Sequence, residues 1–175
     1  ALQADSEVAG DAVLSESSPT VPALSSDPDA TAKIYLDFDG HFESTWGSYS
    51  NISTPVFSLD SDLTTFSTTE IAAINQIWAR VSEDYAPFDI DVTTIEPPSF
   101  ADKVGLRVSI GGNGSWYGSA GGVAYVGTWT NSIVNTVYVF PQQLSSNTKY
   151  IAEACSHESG HAFGLRHQSR YDANG

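Results

Sequence analysis

Cationic side chains are scarce in this chain. Its 175 residues carry 7 Lys and Arg against 21 Asp and Glu, a formal net charge of -14. The few cations are scattered singly. A surface this negative repels phosphate backbones and anionic lipid, so nucleic acid and membrane are not expected as partners. No run of eighteen apolar residues exists that could serve as a membrane-spanning helix. A single cysteine, Cys155, excludes an intrachain disulfide framework. Methionine is absent and the first residues are Ala-Leu-Gln. The chain is therefore not expected to begin at a start codon, and a signal peptide is expected to have been removed.

What is present divides into two parts. Residues 1–30 hold Asp5, Glu7, Asp11, Glu16, Asp27 and Asp29, three prolines and no aromatic residue. Such a composition offers too little apolar surface to offset its ordering entropy, so a flexible acidic tail or pro-segment remnant is expected. From residue 31 the pattern becomes that of a folded domain. Ile34, Leu36 and Phe38 alternate with Tyr35, Asp37 and Asp39, which predicts a strand stopped by Gly40. Residues 41–66 read as loop with a short strand near Val56–Leu59. Ser67-Thr68-Thr69-Glu70 is a capping box, and Ile71, Ile74, Trp78, Val81 and Tyr85 then line one helical face. Pro87 ends that helix.

Further strands are predicted at 88–93, 104–110, 123–126 and 136–140. A last helix runs from about Asn147 to Phe163 and ends at Gly164. This order of elements points to an α+β fold, a mixed sheet with helices.

The chemistry concentrates at the C-terminal end. His157, Glu158, His161, Gly164 and His167 form the pattern HExxHxxGxxH, which takes three of the chain's four histidines. On a helix His157 and His161 lie one turn apart on one face, so both imidazoles can reach one tetrahedral metal. Gly164 can take a positive φ and turn the chain back. His167 then supplies a third nitrogen. Three nitrogen ligands leave a fourth position for water, the arrangement of a catalytic zinc. Glu158 follows the first ligand and is placed to act as a proton shuttle.

On this motif, and on the segments Tyr85–Thr94 and His157–Gln168, the chain resembles the metzincin clan of zinc endopeptidases, in particular its bacterial reprolysin-like members. The resemblance implies an upper subdomain with a twisted, mostly parallel five-stranded sheet, an antiparallel edge strand, a backing helix and an active-site helix. It implies Zn2+ held by His157, His161 and His167, Glu158 as catalytic base, and a protein or peptide substrate laid along the edge strand at Gly122–Val126. Residues 31–175 are expected to be an incomplete catalytic domain, poorly active alone, because the clan's methionine turn has no counterpart here. Gln168 departs from the residue that marks the named subfamilies, so the subfamily stays open.

Two other readings compete: a proteolytically inactive zinc-binding or adhesive module, and an archaemetzincin-like intracellular peptidase. A secreted monomer is expected. Cys155 is expected to pack rather than to ligate zinc, and His41 to be a turn histidine. Asp37, Asp39, Asp89 and Asp91 are candidate ligands for Ca2+, since carboxylates are hard oxygen donors.

Overall fold

A computed structural model describes residues 19–167. The expected tail over residues 1–18 and Gln168 lie outside the described residues. The strands are β1 (Ala32–Asp37), β2 (His41–Trp46), β3 (Tyr49–Thr54), β4 (Ile90–Thr93), β5 (Gly105–Ile110), β6 (Gly122–Val123) and β7 (Thr136–Val139). The helices are α1 (Thr68–Tyr85) and α2 (Thr148–Ala162). Five strands form one sheet in the order β4-β1-β5-β7-β6. All neighbours are parallel except the edge pair β6 and β7. This is the mixed α+β architecture expected, with its antiparallel edge strand.

Strand alternation sorts the side chains onto two faces. Ile34 and Leu36 of β1, Leu106, Val108 and Ile110 of β5, and Val137 and Val139 of β7 share one buried cluster. Both helices contribute to it: Ala73, Ile74, Ile77, Val81 and Tyr85 from α1, and Ile151, Ala152, Cys155 and Ala162 from α2. The opposite face presents Tyr138 and, beyond it, Phe140. These pack with Val123, Trp46 and Ile52 in a second cluster. The Trp46 indole N–H donates to the carbonyl of Thr136 (2.7 Å), which fastens β2 to the sheet.

The structure corrects the reading of residues 41–66. They form an antiparallel hairpin, β2–β3, turning at Gly47-Ser48, and Val56–Leu59 is not a strand. The hairpin was hard to see because only Trp46, Ile52 and Thr54 are buried, while its other rows are mostly polar. Phe57 is buried instead as a plug, its N–H donating to Phe38 (2.9 Å) and its ring edge-on to the Phe38 ring. The edge strand is also shorter than expected, pairing only over Gly122–Val123.

Residues 22–27, which were expected to be flexible, are bonded to the outer side of β4. Thr94 N–H donates to Leu24 O (3.0 Å) and Ser26 N–H to Val92 O (3.1 Å). The Asp91 carboxylate accepts from the N–H groups of Ser26 and Asp27 and from the Ser25 hydroxyl. An open parallel edge offers unpaired backbone groups. Backbone hydrogen bonding, to which composition is blind, orders this stretch.

The N-terminus of α1 is built as its capping box predicts, with Ser67 and Glu70 satisfying each other's backbone groups. Glu70 does more, accepting from the N–H of Leu59 (2.7 Å) and so tying the preceding loop to the helix. Burial raises the cost of its charge, but hydrogen bonds from Leu59 and Ser67 outweigh that and hold its pKa below the ordinary value. Glu70→Ala should therefore lower the unfolding free energy by about 2–3 kcal/mol in a urea titration at pH 7. The contribution is complete above the unfolded pKa of about 4.3 and is lost as pH falls through the depressed folded value, so the gap from wild type should close in acid.

Candidate metal centre

Helix α2 starts at Asn147, whose side chain accepts from the N–H groups of Lys149 and Tyr150. It buries Ile151, Ala152, Cys155, Glu158, Ser159 and Ala162 and leaves His157 exposed on its flank. The C-terminal end closes on Gly164, at φ +101°. Leu165 N–H donates to Gly160 O (3.0 Å) and Gly164 N–H to His161 O (2.9 Å). This pair of bonds is the Schellman closure, which needs a left-handed residue where Gly164 stands. It reverses the chain so that His167 faces the turn of helix that carries His157 and His161.

The three imidazoles converge. His167 Nε2 lies 3.0 Å from His157 Nε2 and 3.1 Å from His161 Nε2. Three nitrogens bound to one tetrahedral zinc at about 2.0–2.1 Å sit about 3.3 Å apart, close to this spacing. His161 Nδ1 lies 2.8 Å from Leu165 O, so its Nδ1–H donates there and the Nε2 lone pair is left facing the centre. Lone pairs aimed at a common point repel one another unless a cation lies among them. The arrangement thus fits zinc, and no other such group of His, Cys, Asp and Glu occurs among the described residues. The three rings border a cavity of about 360 Å3 that is also lined by Ser156, Gly160, Leu165 and Arg166.

Glu158 lies on the packed side of the same turn. Burial pushes its carboxyl up to about 7, against the opposing charge of His161. Its side chain rests against Gly122 of the edge strand.

Support comes from residues that the sequence did not mark. The Tyr85 hydroxyl, at the end of α1, donates to Ser156 O (3.0 Å), and Ser156 Oγ donates to Asp84 (2.6 Å). Phe163 packs between the rings of Tyr85 and Trp129. Gly127 N–H donates to His161 O (2.9 Å), which ties the loop after β6 to the turn that carries His161.

Other candidate ligands lie elsewhere. His41 is the first residue of β2 rather than a turn residue, and its Nε2 lies 3.3 Å from the Glu43 carboxylate. The calcium reading is not supported. Asp37 is buried in an ion pair with Arg107, which also bonds Glu96, and Asp91 is paired with Lys33. With these cations already beside them, the two carboxylates have no need of a metal, and although Asp39 lies near Asp37, the four aspartates do not form a common cluster among the described residues. Cys155 is buried, and burial together with the Glu158 charge raises its thiol pKa well above the ordinary value, as for a packed, unreactive side chain.

Residues 91–168 match the metallopeptidase family M12B, reprolysin-like. The matched stretch covers less than half of the chain. It runs from β4 through the edge strand to the third histidine, and the family is one of zinc metallopeptidases. No curated protein and no solved structure matches the chain.

The Schellman turn generates a prediction. Alanine at 164 would carry a Cβ at a φ that costs about 1–2 kcal/mol for an L-residue. Gly164→Ala should displace His167 and weaken zinc binding about tenfold or more, measured by chelator competition, with little change in far-ultraviolet circular dichroism.

Proposed function

We propose that this protein is a zinc-dependent endopeptidase in which His157, His161 and His167 hold the metal and Glu158 moves the proton. The observation that carries the reading is the convergence of the three Nε2 atoms beside a buried carboxylate. Bound zinc supplies Lewis acidity, polarising the scissile carbonyl and acidifying the attacking water. The chain's own residues do the rest. Glu158, made more basic by burial, takes a proton from the water and returns it to the leaving amine. His161 is kept in one tautomer by Leu165.

The edge strand orients the substrate. Phe140 N–H donates to Gly121 O, and Val123 pairs with Tyr138. The alternation of an antiparallel ladder then turns the N–H and C=O of Gly122 away from β7, onto the outer edge of the sheet. An extended peptide added there would have its main chain held by backbone bonds, next to the three histidines. Val126 lies beyond this ladder. The acidic composition and the lone buried cysteine suit an exported enzyme, and we extend the proposal to secretion.

Glu158→Gln separates this reading from that of an inactive zinc-binding module. The variant should retain stoichiometric zinc by elemental analysis and lose about 100- to 10,000-fold in kcat on a quenched peptide. Unchanged turnover would remove Glu158 from the mechanism. A zinc-loaded wild type that cleaves neither casein nor peptides would favour the binding module.

A further inference from the structure

The edge strand and α2 approach so closely that one position between them has no room for a side chain. A Cβ at Gly122 would stand 2.8 Å from Glu158 Cγ, 2.9 Å from Glu158 Oε1 and 2.9 Å from the Tyr138 carbonyl oxygen. Such distances lie inside van der Waals contact. The Tyr138 oxygen belongs to a strand held on both sides, by β5 and β6, so it cannot yield. Of the two partners, only the Glu158 side chain can be displaced by rotation.

Backbone conformation is not the reason for glycine here. Gly122 does not appear among the positive-φ glycines, which include Gly112, Gly114, Gly118, Gly127 and Gly164. The requirement is for space alone. The preceding glycine makes the contrast. A Cβ at Gly121 would meet Leu144 Cδ2 at 2.5 Å, but that atom is the far end of a half-buried, rotatable side chain.

We infer that Gly122 is a positioning residue for the proposed base: the notch left by its missing side chain sets where the Glu158 carboxylate lies relative to the histidines and to a peptide on the edge strand. The inference rests on the proposed role of Glu158. Any side chain at 122 would shift the carboxylate, and proton transfer is sensitive to such shifts because the base must stay within hydrogen-bond reach of its water. Gly122 acts through Glu158 and not on the substrate. Its replacement should therefore be felt in turnover while binding of peptide and zinc is spared.

Two measurements test this on the same set of variants. In the first, Gly122→Ala and Gly121→Ala are compared with wild type for zinc content, KM and kcat on one peptide. Gly122→Ala should keep its zinc and a KM within about twofold, and lose about 100-fold in kcat. Gly121→Ala should lose less than about tenfold, since Leu144 can rotate away. In the second, the thermal unfolding of metal-free protein is measured for Gly122→Ala with and without Glu158→Ala. The alanine at 122 should lower Tm more when Glu158 is present than when Glu158 has been cut back, because the contacts with Glu158 Cγ and Oε1 are then gone and only the Tyr138 oxygen remains.

Equal Tm losses in both backgrounds would overturn the inference, as would an unchanged kcat in Gly122→Ala. A wild type without peptidase activity would overturn the base reading and the positioning role with it. The metal-free cycle would still report whether the two side chains compete for one space, so the two failures are told apart.

Discussion

One helix has to be dry along one side and wet along the other over the same two turns. Helix α2 buries Ile151, Ala152, Cys155 and Ala162 against the sheet and α1, which fixes its rotation about its own axis. With that rotation set, His157 faces the cleft and Glu158, one residue on, is turned into the packed side. The proposed ligands and the proposed base thus differ in environment because of a 100° step along one helix. Burial raises the pKa of the carboxylate, while the imidazoles border an open cavity.

The remainder of the domain holds that helix in register. On one side the end of α1 grips it through Tyr85 and Asp84, each bonded to Ser156, immediately before the first histidine. On the other side the chain leaving β6 is bonded through Gly127 to His161. The edge strand is thereby coupled to the turn that carries His161 by a hydrogen bond as well as by the contact of Gly122 with Glu158. The far face of the sheet contributes indirectly. Trp46 and Ile52 of the hairpin cover Tyr138 and Phe140, so β7 is packed on both faces, and β6 pairs with a rigid neighbour.

Much of this was legible in the sequence, for reasons that differ between elements. The capping box at Ser67 and Glu70 and the turn at Gly164 are local codes, written within four residues, and the structure follows both. The strands of the central sheet were legible because apolar residues recur at every second position, as in Ile34, Leu36 and Phe38. The hairpin was missed because it is a cover: apart from Phe42 the exposed residues of its strands are Ser, Thr and Asn, which read as loop. Residues 22–27 were missed because main-chain hydrogen bonds order them, and these leave little trace in composition. At the site, the pattern from His157 to His167 was plain. Tyr85, Asp84, Gly122 and Gly127 were not, since each acts on α2 from a distant part of the chain.

By itself, then, the sequence determined the chemical types and the local geometry: three imidazoles and a carboxylate on one helix and its turn, in an acidic chain. These follow from helical periodicity and from what one glycine allows at positive φ, both of which act over a few residues. Only the tertiary structure decided how deeply Glu158 is buried, which atom each histidine turns inward, and how near the edge strand comes to the carboxylate. Those depend on contacts between residues up to some seventy positions apart, such as Tyr85 with Ser156. Close packing brings such groups together only once the sheet and its two helices have formed a single core.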